Sequence, residues 1–313
     1  MGHPGGDATP DPIDRADGDP RHRADGDPRH PADGDPRHGA DGDPRRLHAV
    51  TSGSGPPLVL IHGVAGSNVI WDRLVPLLEP YFTVVRVDLL GYGHSPKPRV
   101  RYTPRRHVVA IRFTLAQECV APPYVLVGLS MGSVLMLEYA AAWPDEAQEM
   151  IGVALPYFPS ERTARAGLRH NIWARLALEH PISAGAMVPT IWWAGRLVPG
   201  LVARTGSIYT RAMAKDALRA RYRAFRSSLL NCMVHHRLDG PLATSGGVRR
   251  LFIHGGSDEW ATVEAVRKAI SPYELSFLHV IEDAPHNLAV AEPDRVAAVI
   301  LDHLGVTKSP RQG

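Results

Sequence analysis

The sequence predicts an α/β fold: a mostly parallel central sheet with helices on both faces. Three observations carry this. First, short apolar runs rich in β-branched residues alternate with helix-forming segments along most of the chain. Second, one of these runs, Leu58-Val59-Leu60-Ile61, is continuously apolar, the pattern of a central parallel strand buried on both faces. Third, Val125-Leu126-Val127 runs into Gly128-Leu129-Ser130-Met131-Gly132 and then into the helix-forming segment Val134 to Ala142. A G-x-S-x-G bounded by strand and helix describes a sharp turn. Side chains two before and two after the serine nearly collide there, and Gly128 and Gly132 supply residues small enough to fit. The turn lifts the Ser130 hydroxyl above the sheet edge at a helix N-terminus, where free N–H groups and the helix dipole favour negative charge.

The other elements follow in chain order. In residues 1–46, Ala-Asp-Gly-Asp-Pro-Arg recurs from Ala16, Ala24, Ala32 and Ala40. Apolar side chains are nearly absent, so the arm cannot bury enough surface to offset its chain entropy and is expected to be disordered. Its Asp-Gly-Asp units and His22, His30 and His38 match neither an EF-hand loop nor a glycine-rich nonapeptide, which argues against a metal array. Folding is expected to begin near Leu47, with a short strand from Leu47 to Val50 and a turn at Gly53-Ser54-Gly55-Pro56. The Leu58 to Ile61 strand ends in His62-Gly63-Val64-Ala65-Gly66-Ser67, followed by a helix with Trp71, Leu74 and Leu78 facing inward. Thr83 to Val87 is a strand leading to Asp88-Leu89-Leu90-Gly91-Tyr92-Gly93-His94-Ser95. A helix around Arg105 to Glu118 precedes the Ser130 strand; Met150 to Leu155, Arg250 to His254 and Ser276 to Ile281 are further strands, and a last helix starts near Glu292.

Composition excludes several classes. With 313 residues there is room for one large domain, or a core plus a small one. A formal charge of +3 without aromatic-basic interleaving argues against a nucleic-acid partner. Cys119 and Cys232 are far apart and lack metal-ligand spacing, as free thiols in a reducing compartment would be. No apolar run resembles a signal peptide or reaches membrane length; the most apolar candidate, Met187 to Ala203, is interrupted by Pro189, Arg196 and Pro199. A soluble, cytoplasmic protein with no transmembrane segment is expected.

Three features together resemble the α/β-hydrolase superfamily: His62-Gly63 after a strand, Asp88-x-x-Gly91-x-Gly93-x-Ser95, and the Gly128 to Gly132 elbow. The resemblance covers about residues 47–155 and 240–305. It implies the α/β-hydrolase fold with a helical cap: core at 47–155 and 238–307, cap at 156–237, and a tail at 308–313. Members usually open with a longer antiparallel hairpin, so the first edge strand here is expected to be missing or irregular.

A serine hydroxyl needs a base within hydrogen-bond reach, and that base needs an orienting acid. The resemblance implies the chain order nucleophile, acid, histidine. Ser130 is then the nucleophile, and a serine at the elbow excludes the halide- and epoxide-opening branches, which carry aspartate there. Asp258, in the loop after the Arg250 to His254 strand, is the expected acid, with Asp239 as its rival. His286, the one histidine in the loop directly after the last strand, is the expected base. By the same resemblance the backbone N–H groups of Val64 and Met131 form the oxyanion hole, and His62 orders its loop. Asp88 and Ser95 are expected to structure their loop, His254 to be structural, and Glu259 to point away.

The expected cap shows no strand pattern; Leu218, Tyr222, Phe225 and Leu229 recur at helical spacing. It holds Trp173, Trp192 and Trp193, candidates either for a cap core or for an apolar substrate pocket, and thirteen Lys or Arg against three Asp or Glu. The expectation is a serine hydrolase using an acyl-enzyme, with no metal or organic cofactor and a small apolar or acyl substrate. Carboxylic esters are the default substrate. C–C bond, lactone or thioester hydrolysis, acyl transfer to an alcohol, cofactor-free perhydrolysis, and a non-catalytic receptor using the same pocket are the alternatives, since a fold hosts many chemistries. An interaction protein working through the repeat arm is a further one. Substrate identity and oligomeric state are not encoded in any motif.

Overall fold

The computed structural model describes residues 45–118, 120–179, 211–217 and 219–306. Seven strands among these form one sheet: β1 (Ala49–Ser52), β2 (Pro57–Ile61), β3 (Thr83–Val87), β4 (Tyr124–Leu129), β5 (Ala147–Val153), β6 (Arg249–Gly255) and β7 (Ser276–Ile281). Their order across the sheet is β1-β3-β2-β4-β5-β6-β7, all parallel except β1, which runs antiparallel to β3. The edge strand expected to be missing or irregular is therefore present, in continuous register from Ala49 opposite Val87 to Ser52 opposite Val84. The chain is also ordered before Leu47: the Arg45 guanidinium lies over the Phe113 ring, Arg46 pairs with Glu118, and the Leu47 N–H donates to Thr114 Oγ1.

The α-helices of six residues or more among the described residues are, in chain order, α1 (Pro104–Gln117), α2 (Met131–Ala142), α3 (Glu161–Leu168), α4 (Ile172–Glu179), α5 (Arg211–Ala217), α6 (Tyr222–Ser228), α7 (Asp239–Thr244), α8 (Val263–Ile270) and α9 (Pro293–His303). The continuous apolar run of β4 reflects burial on both faces. Leu126 packs with Val59 and Val85 on one side, while Val125 and Val127 pack with Leu58 and Leu60 on the other. Trp71, Leu74 and Leu78 are buried on the second face, but they sit on a short 3-10 turn (Asn68–Trp71) and a one-turn helix (Val75–Leu78) instead of one regular helix. Pro76 has no N–H to continue a hydrogen-bonded ladder back to Asp72, so it stands in the first turn of a separate helical piece.

Between Leu155 and Arg237 the described residues contain helices and no strand. Ser160 begins α3 with a reciprocal capping box to Thr163. Of the expected apolar face, Phe225 and Leu229 are buried, although helix α6 gives way to a π-helical turn at Leu229–Val234; Leu218 lies outside the described residues. Cys232 is a free buried thiol and Cys119 lies outside the described residues. No helix among the described residues is long and apolar enough to cross a membrane.

Register determines which loops meet. Chain order reverses between β2 and β4, and Ile61 pairs with Gly128, so the loops leaving these strands begin side by side at the C-terminal sheet edge. Crevices at such reversals are where open α/β sheets bind ligands. On the other flank Gly255 pairs with Ile281, which sets the loops after β6 and β7 next to each other.

Candidate active site

Ser130 sits at the tip of the turn between β4 and α2 with φ 53° and ψ −120°. A non-glycine residue held there costs on the order of 1–3 kcal/mol and persists only where its surroundings fix it. Its own N–H donates to the Val153 carbonyl at 2.8 Å, and the Ser133 hydroxyl donates to the Gly128 carbonyl at 2.7 Å. A Cβ at Gly128 would strike the backbone of Gly132, and one at Gly132 would strike the Ile61 carbonyl. The second contact is with the neighbouring strand, so Gly132 also sets how closely α2 approaches β2. Gly132→Ala is expected to destabilise the fold by about 1–3 kcal/mol or more through overpacking against backbone that cannot move aside, read as a lower midpoint in chemical denaturation.

The loops after β6 and β7 bring two further side chains to Ser130. His286 Nε2 accepts from the Ser130 hydroxyl at 2.9 Å, and its Nδ1–H donates to Asp258 Oδ2 at 2.8 Å. All three side chains are buried or nearly so. The carboxylate is saturated. Oδ1 accepts the backbone N–H of Trp260 at 2.8 Å and of Ala261 at 3.3 Å, while Oδ2 also faces His254 Nε2 at 3.3 Å. Asp239 is elsewhere, on α7, where it accepts from the Tyr157 hydroxyl at 2.9 Å. Glu259 is exposed.

Burial alone would raise the Asp258 pKa. The bond from His286, the charges of His286 and His254, and the Trp260 N–H outweigh it, so the carboxyl is held below its ordinary value. His254 is fully buried, and burial pushes its pKa down against the opposing bond to the Ala261 carbonyl at 2.8 Å and the charge of Asp258. Among the described residues its Nδ1 has no partner, while Nε2–H is shared between the Ala261 carbonyl and Asp258. It is the strut of the acid loop, a contact that its position four residues before Asp258, at the end of β6, hinted at.

Behind the serine, Gly63 abuts Ser130: a Cβ there would stand 3.1 Å from the Ser130 Cβ. The next residue, Val64, is half-buried, and Met131 opens α2, whose first N–H groups have no partner within the helix. His62 is buried; its Nδ1–H donates to the Gly63 carbonyl at 2.7 Å, and Nε2 accepts from Leu89 N–H at 2.9 Å. Burial lowers its pKa, so a neutral ring ties the loop after β2 to the loop after β3. Asp88 works beside it, accepting from Asn68 N–H, Asn68 Nδ2 and His94 N–H, while Ser95 accepts from His48 N–H.

Two contacts at the site carry no periodicity in the sequence. The Trp260 ring stacks on His286, centroids 4.3 Å apart and planes at 11°. Asp216 of α5, itself buried, accepts from the Ser67 hydroxyl at 3.1 Å, joining α5 to the loop that holds Val64. Trp192 and Trp193 lie outside the described residues, as does the Trp173 side chain.

The alpha/beta hydrolase family profile matches residues 58–299, more than half of the chain. The chain belongs to the alpha/beta hydrolase family. Among its curated relatives, "Probable lysophospholipase BODYGUARD 2" of Arabidopsis thaliana is 26% identical over 262 residues, covering 73% of this chain and 54% of that protein. "Pimeloyl-[acyl-carrier protein] methyl ester esterase" of Vibrio campbellii is 35% identical over 128 residues, 40% of this chain and 47% of that one. The chain thus spans about half the length of these relatives. Among solved structures, E-2-(acetamidomethylene)succinate hydrolase superposes with a TM-score of 0.67 at 17% identity, over 83% of this chain and 95% of that chain. At that identity the likeness speaks for the fold.

Proposed function

We propose that this chain is a serine hydrolase that cleaves a carboxylic ester through an acyl-enzyme on Ser130, His286 and Asp258. The observation that carries the reading is the unbroken chain from Ser130 Oγ to His286 Nε2 at 2.9 Å and from Nδ1 to Asp258 at 2.8 Å, mounted on a strained elbow. Ser130 Oγ attacks the acyl carbon as its proton passes to His286 Nε2. Asp258 stays ionised, holds the Nδ1–H tautomer and stabilises the imidazolium. The developing oxyanion is received by the Val64 and Met131 N–H groups, which are fixed before reaction and cost no reorganisation. The alcohol departs with the Nε2 proton, and water repeats the cycle in reverse to free the acid. Relatives bearing the names lysophospholipase and methyl ester esterase support an ester over the other acyl bonds.

Residues 156–237 act as a cap in this reading and select the substrate, with Trp173, Trp192 and Trp193 as an apolar wall. The test is intact mass after incubation with a fluorophosphonate, followed by p-nitrophenyl esters of increasing acyl length. One adduct per chain and measurable ester turnover are expected. A folded protein that neither labels nor turns over any ester would overturn the reading in favour of a ligand receptor.

A further inference from the structure

Two points fix the catalytic imidazole in most serine hydrolases: its own side-chain bonds and the hydrogen bond at Nδ1. A ring held only there can still rock about the line between them, and rocking swings Nε2 away from the serine. Here the indole of Trp260 lies flat on His286, centroids 4.3 Å apart and planes at 11°. Facing aromatic rings at this separation attract each other and resist tilting. The backbone that carries the indole is itself held. The backbone N–H of Trp260 donates to Asp258 Oδ1 at 2.8 Å, so the acid that orients His286 at Nδ1 also anchors the residue that covers its face. Its carbonyl lies against Gly167 of α3, so closely that a Cβ at Gly167 would collide with it. Helix α3 belongs to the segment between β5 and β6, so that segment reaches the imidazole through Trp260.

We propose that Trp260 is a positioning residue for His286: its indole face fixes the plane of the imidazole so that Nε2 meets Ser130, and α3 braces it through Gly167. The role rests on the acyl-enzyme reading for its catalytic meaning, but the ring geometry can be read without any substrate. Trp260 does not touch the reacting atoms in this scheme. It acts through the orientation of another side chain, and a misplacement of about 1 Å at a reacting group costs about 10²-fold in rate.

The test uses the full chain with Trp260→Phe, Trp260→Leu and Gly167→Ala. Two quantities are measured: the saturation kinetics of fluorophosphonate labelling, and the downfield proton NMR signal of the His286 Nδ1–H, assigned by its absence in His286→Gln. Trp260→Leu is expected to lower the maximal labelling rate by about 10- to 100-fold with the half-saturating concentration little changed, and to broaden or remove the Nδ1–H signal. Trp260→Phe, which keeps a flat ring, is expected to stay within a few-fold of the wild type and to keep the signal. Gly167→Ala keeps the indole but pushes on its backbone, and is expected to slow labelling in the same way. It serves as the deciding variant should Trp260→Leu not fold.

A Trp260→Leu protein that labels at the wild-type rate and keeps its Nδ1–H signal overturns the proposal. So does a rise in the half-saturating concentration with the maximal rate intact, which would make Trp260 a wall of the substrate site. If the wild type itself does not label, the acyl-enzyme reading falls. The NMR signal then decides the positioning role alone, upholding it if Trp260→Leu loses the signal and overturning it if the signal survives.

Discussion

Ser130→Ala is expected to abolish the fluorophosphonate adduct and to reduce ester turnover by about 10⁵- to 10⁶-fold, with the fold intact. The size follows from what remains. The loop amides near Val64 and Met131 and the His286–Asp258 pair stay in place, but no atom is left to form the covalent bond. Residues that act as one unit lose most of their joint effect when any member goes, so His286→Ala is expected to fall into the same range, and Ser130→Ala with His286→Ala little further. The structural cost is small, because among the described residues the Ser130 side chain makes only the bond to His286, while the N–H that ties the elbow to Val153 is backbone and survives. Alanine also inherits φ 53°, so the strain of the turn is unchanged. A single adduct that persists in Ser130→Ala, or turnover within tenfold of the wild type, would mean that another side chain is the nucleophile.

The elbow was legible in the sequence because its constraints are local. Gly128 and Gly132 flank the serine at fixed spacing, and each is required by a backbone contact that a Cβ would violate. The strands were legible because burial on both faces leaves uninterrupted apolar runs, and only their ends moved, by three residues at most. Pro76 shows the limit of pattern reading: Trp71, Leu74 and Leu78 face inward as expected, yet on two short turns. The edge strand β1 was doubted because only its length was visible, whereas its stability comes from β3, thirty-odd residues away. Choosing Asp258 over Asp239 needed a known family's placement of the acid in the loop after a late strand, since both lie between Ser130 and His286 in the chain. Trp260 escaped notice for a different reason. Its stack on His286 arises where two loops meet above adjacent strands, and no period in either loop encodes the meeting. Asp216 and Ser67, separated by 149 residues, are a second example.

Asp258→Asn is expected to lower ester turnover by about 10⁴-fold while leaving Ser130 and His286 in the chain. The carboxylate accepts four N–H groups, two at each oxygen: Trp260 and Ala261 at Oδ1, His286 and His254 at Oδ2. An asparagine must turn its NH2 toward one of these pairs. Facing the backbone pair, it opposes two N–H groups that cannot move their protons. Facing the histidines, it donates to His286 Nδ1, which forces the proton onto Nε2, the atom that takes the proton from Ser130 in the proposed cycle. Either choice leaves a buried polar group opposed, at a cost of about 1–3 kcal/mol in stability. The pH dependence should change as well. Asp258 is held below its ordinary pKa, so its charge stabilises the native state above the unfolded-state pKa, and that contribution is lost as pH falls through the lower, native value. Removing the charge should therefore narrow the gap between wild type and variant in acid and widen it toward neutrality. Denaturation midpoints measured for both proteins from pH 3 to pH 7 would show converging curves at the acid end. Parallel curves across that range would mean that Asp258 carries no net stabilising charge, and its four donors would then have to be assigned to holding the loop alone.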